Sequence, residues 1–576
     1  MIREGTMNYV DLDPALQPLI ESYLGTSDQE LIAPVLTALG ADAAQRLAPL
    51  ADIADKNPPT LEQFNREGDR VDSIDYHHSY QELQKAAYEE YGLSALSHRG
   101  LHGWDDVPPH LVKYILSYVF VQAEFGLACP VSMTDAAART LRKFGEGEEI
   151  AEAIERLIST DPNRRFTGAM FMTEIHAGTD IAQTETVAER DGENWALSGR
   201  KWFASNPDAD IILTLARFPG GDDTTRGVGL FMLPKHRPDG SKNSYVIDRL
   251  KDKLGTRSMP SGEVTLDGAY AVQVGALERG FRQMAEMVNT SRLSNAMRAT
   301  ALMRRSVNEA LAHARKRVVF GKALIEAPLM RMTLLPLQAE AEAALGLVFY
   351  AGDILQKADA GDASASAQIR VLTPLAKHYI CKRARFVTGE AMEVRGGRGY
   401  IEEFPDARLV RDSHLGSIWE GSSNVIALDV LRCMRKQNTH QLLAETMTQK
   451  LNTITLAEAG PEIRELLTRW TAIVDRGDVI LGAESYAAEA LVGGYADDLA
   501  QLIMATLLLE QAGAEVTRDD NFRKLLVART FIGSNVTADE NAVVDTLTHF
   551  EDIVDGRMVA RDAVFAEVVP TPAPVA

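Results

Sequence analysis

A block of short strand-like runs between two long helical stretches is the feature that most constrains the fold of this chain. Residues 166–272 carry short apolar or alternating runs, such as Ile211–Leu215, separated by turn residues, and this pattern is typical of strands. Asp191-Gly192 predicts a hairpin turn, and Asp267-Gly268 predicts a strand that ends in a turn. Because strands do not alternate with helices, and no glycine-rich dinucleotide or P-loop motif follows a strand, the pattern argues against a Rossmann domain.

The segments on both sides of this block are predicted to be helical. Leu31, Leu36 and Leu39 repeat at helical spacing after Ser27, which we expect to cap that helix. Residues 292–317 contain no Pro or Gly, as expected of a long helix.

The chain is therefore predicted to be mainly α-helical with a middle β domain. Its 576 residues are too many for a single hydrophobic core. We predict an N-terminal helical domain at 1–165, a β domain at 166–274, a helical bundle at 275–436, an additional helical unit at 437–565 and a disordered tail at 566–576.

Charge and cysteine content narrow the functional classes. The net charge is −21, and residues 437–576 contribute −12 of it, from 10 Lys and Arg against 22 Asp and Glu. Such a field disfavours binding to nucleic acid. Three well-separated cysteines, with neither a secretory signal nor a run of 18 apolar residues, indicate a cytoplasmic protein that does not span a membrane. No metal-ligand spacing occurs, so we expect no metal site.

Four local patterns could carry chemistry, and each has a plainer structural interpretation. Residues 172–180 present small and hydroxyl side chains around a glycine, as a ligand-binding loop or a simple strand exit. In 199–206 a tryptophan could stack on a flat ring or only fill the core. Arg317, at a helix end, could bind phosphate or only interact with the helix dipole. Residues 391–400 and 418–424 combine glycines with Glu420, which could be a base or only a charge at a helix N-terminus.

Together, and in this order, these patterns resemble the acyl-CoA dehydrogenase family over about residues 70–435. Residues 166–206 look like the first family signature, and residues 391–432 look like the second. The segments Tyr76–Tyr80, Arg249–Gly255 and Ser417–Ser422, with the added C-terminal unit, are most similar to the AidB-like branch. The resemblance implies a helical domain, a β domain and a four-helix bundle, with FAD between the last two.

The resemblance also implies roles for particular residues. Arg292 matches an arginine near the thioester and the CoA arm, and Glu420 matches the catalytic base. Trp419 stands where many members have tyrosine, which points to a narrowed acyl site for short, branched or unusual acyl groups. The residues matched to FAD fall into two sets: Met172, Thr173, Gly178, Thr179, Trp202 and Ser205 would contact the flavin of the same subunit, whereas Arg317, Phe320, Gly396 and Gly397 would hold the FAD of a neighbouring subunit.

The implied activity is α,β-dehydrogenation of an acyl-CoA in fatty acid metabolism. Glu420 would remove the α-proton while hydride leaves the β-carbon for flavin N5, giving a trans-2-enoyl-CoA. An electron-transfer flavoprotein would accept the electrons, and the protein would be a homodimer or homotetramer. The alternative is an AidB-like flavoprotein that protects or binds DNA and has little dehydrogenase activity. The acidic C-terminal unit counts against this alternative, because DNA binding requires clustered Lys and Arg.

Overall fold

The computed structural model describes residues 7–565, so the predicted disordered tail at 566–576 lies outside the described residues. The N-terminal part is mostly helical. Its elements are α1 (Leu16–Tyr23), α2 (Thr26–Asp42), α3 (Ala48–Lys56), β1 (Thr60–Phe64), β2 (Arg70–Asp75), α4 (His78–Lys85), α5 (His110–Val121), α6 (Ala128–Phe144) and α7 (Glu148–Leu157).

Two features of this part differ from the sequence-based prediction. Helix α2 begins at Thr26 after an N-cap at Gly25, and its N-cap makes no side-chain hydrogen bond, so the prediction that Ser27 caps the helix was wrong. The β1–β2 hairpin was not foreseen in a segment taken as helical. Its apolar residues Ile74 and Leu61 pack against the core of the β domain, so the hairpin joins the two domains.

The β domain contains one seven-stranded sheet. Its strands are β3 (Gly168–Phe171), β4 (Val187–Asp191), β5 (Asn194–Ser205), β6 (Ile211–Arg217), β7 (Val228–Pro234), β8 (Tyr245–Leu250) and β9 (Ser261–Gln273). The pairing order is β3-β6-β4-β5-β9-β7, with β8 on β9 and a further β6–β7 pairing that closes a ring of strands. Strand β6 pairs parallel with β3 and antiparallel with β7.

The predicted β4–β5 hairpin is confirmed, since Asp191 pairs with Asn194 around the turn at Gly192. The predicted strand end at Asp267-Gly268 was wrong, because β9 continues to Gln273. Its register with β5 shifts between Leu197 and Gly199. Gly268 has φ +64°, a conformation that glycine adopts without strain. The turn-like pair therefore marks an irregularity within a strand instead of its end.

The bundle contains three helices of more than 30 residues. Its elements are α8 (Gly280–Lys316), β10 (Val318–Val319), β11 (Lys322–Ala323), α9 (Pro328–Asp359), α10 (Ala363–Val394), α11 (Gly397–Tyr400), α12 (Asp406–Gly416) and α13 (Ser423–Gln437). Buried apolar residues of α5, α6, α8, α9 and α10 belong to one large core that also reaches the C-terminal unit.

The C-terminal unit consists of α14 (Thr439–Thr453), α15 (Gly460–Gly482), α16 (Ser485–Asp519), α17 (Arg523–Phe531), α18 (Glu540–Val544), α19 (Phe550–Asp555) and α20 (Arg561–Phe565). A buried cluster fixes it to the bundle: Glu342 of α9 accepts hydrogen bonds from Arg523 and from Lys524, the latter at 2.7 Å. These cations hold the pKa of Glu342 well below its ordinary value, although burial alone would raise it. The unit is thus anchored by paired charges that burial makes costly to separate.

Helices α9 and α16 are long and apolar enough, by length and composition alone, to cross a membrane. Most residues of both apolar windows are buried inside the protein, as in the core helices of a bundle. The apolar stretches therefore serve the packing of this fold.

Candidate functional site

Glu420 lies in the connection between α12 and α13 in an unusual backbone conformation. Its φ is +58°, and the next residue, Gly421, has φ +103°. A non-glycine residue in this region is uncommon and strained, and such strain persists only where the surroundings hold it. The Glu420 side chain is 6% exposed. The connection therefore buries a carboxylate just before the N-terminus of α13.

Two cations fix the backbone of this connection. The Arg292 Nε donates to the Glu420 carbonyl at 3.0 Å, and its NH1 donates to Asp429 of α13 at 3.0 Å. The buried Lys377 of α10 donates to the Gly421 carbonyl. Helices α8 and α10 thus hold consecutive carbonyls of the strained turn. Since Arg292 is committed to these contacts, its predicted role beside the substrate stays a prediction.

The Glu420 carboxylate has one engaged oxygen and one free oxygen. Its Oε1 accepts a hydrogen bond from Ser291 and lies 3.6 Å from Arg298 NH2. Its Oε2 is buried and has no hydrogen-bond partner among residues 7–565. A buried carboxylate oxygen without a partner is costly, and it can accept a proton from a bound molecule.

Two aromatic side chains lie near this carboxylate. The Trp419 ring stacks on Phe125 with centroids 5.8 Å apart, and the Arg298 guanidinium lies 4.8 Å from the Trp419 centroid. Burial raises the pKa of the nearby Cys129 thiol to about 11, while the Arg298 charge lowers it and the Glu420 charge raises it. The surroundings of Glu420 are therefore partly aromatic, with the buried cation Arg298 beside the carboxylate.

Five of the six predicted flavin-lining residues, all except Ser205, lie near the end of β3. The Trp202 backbone N–H donates to the Thr173 carbonyl at 2.8 Å, which joins the two motifs. A Cβ added at Gly178 would lie 3.7 Å from Thr173 Cγ2, so this glycine lies beside the threonine, and Thr179 follows it in an exposed position. The half-buried Met172 packs against the large helical core, so this end of the sheet faces the helices.

The Trp202 ring already has a cation over it. Lys251 Nζ lies 3.5 Å from the ring centroid, and the same ammonium donates to the buried Glu263 at 2.6 Å. The side chain of Trp202 remains only half buried. It is thus held by Lys251 and still offers surface to a ligand.

Ser205 is the residue predicted to place a hydroxyl near the flavin, and Ala204 precedes it on β5. Ala204 is buried in the core between the strands of the β domain. Side chains alternate along a strand, so Ser205 points to the other face, where its hydroxyl lies 3.1 Å from that of Ser261. This supports Ser205 for the role, which stays a prediction.

The loop between β8 and β9 connects the two parts of the site. Lys253 Nζ donates to the Met259 carbonyl and to the Ser261 hydroxyl at 3.3 Å, and burial lowers its pKa to about 8. Opposite it, Thr256 N–H donates to Asp412 of α12 at 2.6 Å. The loop therefore links the Ser205 side of the β domain to the helix that leads into Glu420.

The residues predicted to hold a neighbouring subunit's FAD lie on the surface. Arg317 ends α8, and Phe320 occupies the tip of the β10–β11 hairpin, fully exposed at φ +52°. Gly396 has φ +57°, and neither it nor Gly397 has an atom within 4 Å of an added Cβ. The charges of Arg317, Arg395 and Arg398 all lower the pKa of His313, after the larger effect of burial, so this surface is locally cationic.

These residues fit FAD. The Trp202 ring and the Thr173 and Ser205 hydroxyls can contact a flat polar ring system. Open glycines and arginines on the outer surface suit a diphosphate. Among residues 7–565, no group of three or more His, Cys, Asp or Glu side chains could hold a metal ion.

Sequence reasoning missed two residues that shape the Glu420 environment, Arg298 and Lys377. Both are cations inside long helices, and nothing in their local sequence separates them from the other arginines and lysines of α8 and α10. The detectable signal was the Glu420 motif itself, since a buried carboxylate requires partners.

Comparisons with known proteins show which family the chain is similar to. Three family models match consecutive parts of the chain: the adaptive response protein AidB N-terminal domain over residues 3–162, the acyl-CoA dehydrogenase middle domain over 169–269 and the acyl-CoA dehydrogenase C-terminal domain over 278–434.

Individual relatives cover most of the chain. Acyl-CoA dehydrogenase family member 11 of Caenorhabditis elegans is 33% identical over 461 residues, which is 76% of this chain and 74% of the relative. The putative acyl-CoA dehydrogenase AidB of Escherichia coli is 33% identical over 438 residues, which is 73% of this chain and 77% of the relative.

A solved structure, that of Caenorhabditis elegans ACDH-11 in complex with C11-CoA, superposes with a TM-score of 0.83 at 28% identity. The match covers 94% of this chain and 95% of that one. The predicted fold class, with its helical domain, β domain, bundle and additional unit, is thereby confirmed. The chain belongs to the acyl-CoA dehydrogenase family of FAD-dependent flavoenzymes, in its AidB-like branch.

Proposed function

We propose that this protein dehydrogenates an acyl-CoA thioester at its α,β bond to give a trans-2-enoyl-CoA, with Glu420 as the base that takes the α-proton. The observation that carries the proposal is the Glu420 carboxylate, 6% exposed and with Oε2 free of any partner in the described chain. A base must reach the proton that it removes, and the Oε2 of Glu420 has no other partner to displace within residues 7–565.

The neighbours of Glu420 support this role. Ser291 orients Oε1, while Arg292 and Lys377 hold the carbonyls of Glu420 and Gly421. With both carbonyls engaged, the turn keeps its strained conformation, and Oε2 stays directed at one place. Such preorganisation lowers the cost of reaching the transition state.

When bound, FAD supplies the acceptor for the hydride that leaves the β-carbon. Thr173, Trp202 and Ser205 are proposed to position its flavin ring, and Arg317, Phe320, Gly396 and Gly397 to bind the FAD of a neighbouring subunit in a homodimer or homotetramer. The fully exposed Phe320 supports this arrangement, because an exposed large apolar side chain is typical of a contact surface.

A pocket beside Arg292 is proposed to receive the CoA arm. Its volume is about 240 Å³, and its lining includes Asn289, which accepts from Arg292 NH1 at 3.3 Å, and Arg370, which shares Asp429 with Arg292. Arg139 and Lys143 also line this pocket, where they pair with Glu286 and Asp359. The arginines can donate to the phosphates of CoA.

We further propose an electron-transfer flavoprotein as the acceptor of the electrons. A role in DNA binding has no support from the site, and the acidic C-terminal unit opposes it. The net charge of −12 over residues 437–576 would repel the phosphate backbone.

The proposal is tested by anaerobic titration of the purified flavoprotein with a panel of acyl-CoAs. We expect at least one thioester to bleach the flavin absorbance promptly. Glu420→Gln should retain the flavin and bleach at least about 100-fold more slowly, because general-base removal costs on the order of 10²–10⁴-fold. Glu403→Gln, at an exposed carboxylate before α12, is the matched control and should bleach like the parent. Equal bleaching rates in Glu420→Gln and the parent would refute the base assignment.

A further inference from the structure

Arg298 is a buried cation that the proposed reaction does not use. Its side chain is 0% exposed, it lies on α8, and its Nε donates to the Ser294 carbonyl at 3.3 Å. Neither NH1 nor NH2 has a hydrogen-bond partner within residues 7–565. Leaving a buried polar donor unpaired costs about 1–3 kcal/mol, and more for a charged group.

The nearest carboxylate does not satisfy this guanidinium. Glu420 Oε1 lies 3.6 Å from Arg298 NH2, which is too far for a hydrogen bond, and Oε1 is already engaged by Ser291. The aromatic ring beside the guanidinium belongs to Trp419, whose own Nε1–H is buried and unpaired in the described structure. The NH1 and NH2 groups of Arg298 and the Nε1–H of Trp419 therefore each lack an acceptor among residues 7–565.

The position of these donors identifies what they could bind. The acyl α-carbon must lie in contact with the Glu420 carboxylate for proton transfer. Since Arg298 is within 4 Å of that carboxylate, an acceptor bonded to Arg298 lies only a few bonds along the acyl chain. A planar guanidinium matches a carboxylate or a carbonyl oxygen, whereas an alkyl chain would leave the donors unpaired.

We propose that the acyl group is short and carries an oxygen acceptor, a carboxylate or a ketone, that Arg298 binds. This inference rests on the proposed function and names its substrate class. Arg298 is then a specificity-determining residue. It favours a substrate that carries an acceptor over an apolar chain of the same shape, as sites that hydrogen-bond their substrate do.

The test compares CoA thioesters of matched shape. Glutaryl-CoA, 5-oxohexanoyl-CoA and 5-methylhexanoyl-CoA carry at C5 a carboxylate, a ketone and a branched alkyl group. Succinyl-CoA, 4-oxopentanoyl-CoA and 4-methylpentanoyl-CoA form the same series one carbon shorter. We expect the parent to prefer an oxygen-bearing member over its alkyl counterpart at least about tenfold in the rate of flavin bleaching, the factor of one charge-assisted hydrogen bond. Faster bleaching by the carboxylate members would indicate an anionic acceptor, and faster bleaching by the ketone members would indicate a neutral one.

Arg298→Met removes the donors while retaining an unbranched side chain. We expect it to abolish the preference, and we expect the same loss of discrimination in the affinities of non-reactive thioether analogues measured by calorimetry. Arg304→Met is the matched control, because Arg304 is also fully buried on α8 with two nitrogens unpaired within residues 7–565, but its contacts are with Gln338 and Asp13. The control should keep the preference. Because it also removes a buried arginine, this control distinguishes a loss of specificity from a loss of stability.

Two outcomes would overturn the inference, and they are distinguishable from failure of the proposed function. If alkyl thioesters bleach the flavin as fast as their oxygenated counterparts, or if Arg298→Met slows all six equally, Arg298 does not select an acceptor, while dehydrogenation stands. If none of the six, nor any straight-chain acyl-CoA, bleaches the flavin, the proposed function fails together with the inference.

Discussion

The Glu420 carboxylate is positioned mainly through its backbone. Arg292 donates to the Glu420 carbonyl and to Asp429 at the same time, so one planar fork joins the strained turn to α13. We therefore expect that loss of these two hydrogen bonds displaces Glu420 and slows catalysis, even if no substrate contacts Arg292.

Arg292→Lys tests this. A lysine keeps the charge but cannot direct two fixed donors at two acceptors. We expect kcat to fall about tenfold or more with KM for the acyl-CoA nearly unchanged, because a 1 Å misplacement of a reacting group is costly. Arg432→Lys is the control, since Arg432 also donates to Asp429 but is 58% exposed and makes no bond to the turn. A large rise in KM with kcat retained would instead favour the predicted substrate-binding role of Arg292.

At this scale the sequence predicted the residues that occur in recognisable motifs. Glu420, Trp202 and Thr173 each lie in a short pattern with its own spacing. Arg298 does not, because it is one of several arginines on α8 and only the folded structure shows that it is buried and unpaired. Burial of a single cation inside a long helix depends on which elements pack against it, and that information is not local.

At the scale of elements, the loop between β8 and β9 joins the β domain to α12. Its link is the hydrogen bond from Thr256 N–H to Asp412, and Thr256 has φ +51°. Burial raises the pKa of Asp412 to about 7, although Arg408 nearby lowers it. The folded protein thus binds a proton at Asp412 that the unfolded chain releases near pH 4.

This shift predicts a pH dependence of stability. A carboxyl whose folded pKa is raised contributes stability below its unfolded pKa and loses it as the pH rises through the folded pKa. The parent should therefore lose stability between about pH 4 and pH 7 relative to Asp412→Asn, which keeps an oxygen for Thr256 and does not ionise.

The measurement is the difference in Tm between the two proteins across this pH range. We expect the Tm of Asp412→Asn, relative to that of the parent, to be several degrees higher at pH 7 than at pH 4. Asp475→Asn, at an exposed aspartate of α15, should follow the parent. Parallel Tm profiles for the parent and Asp412→Asn would show that Asp412 does not titrate in this window.

Elements were predicted correctly where the sequence pattern was regular. They were predicted wrongly where a local signal, such as a turn-like residue pair, also occurs inside a strand. The predicted strand over Ile211–Leu215 and the hairpin at Asp191-Gly192 have simple apolar or turn signals, and both are observed. Asp267-Gly268 has the same turn signal, but β9 runs through it because β5 and β8 pair on either side. The β1–β2 hairpin is short and polar, and its contact with the β domain, distant in sequence, stabilises it.

For the whole molecule, the order of helical and β segments was enough to predict the arrangement of domains. The attachment of the C-terminal unit was not predictable, since it depends on Glu342 meeting Arg523 and Lys524 across the core. The unit is acidic overall but joins the bundle through two of its cations.

Assembly of the molecule is tested at the hairpin tip. If a neighbouring subunit and its FAD cover Phe320, then Phe320→Ala should shift the protein to smaller species in light scattering and lower the ratio of flavin to protein absorbance. Tyr486→Ala, at an 88% exposed residue of the C-terminal unit, should change neither. Unchanged mass and flavin content in Phe320→Ala would place the subunit contact elsewhere.

Hydrogen exchange at the α-carbon reports whether Glu420 itself takes the α-proton. The α-hydrogens of a bound acyl-CoA are followed by NMR in D₂O without oxygen, in the parent and in Glu420→Gln. We predict that the parent exchanges them and that the variant, with flavin retained, does so at least about 100-fold more slowly. Exchange at the parental rate in Glu420→Gln would show that a group other than Glu420 takes the α-proton.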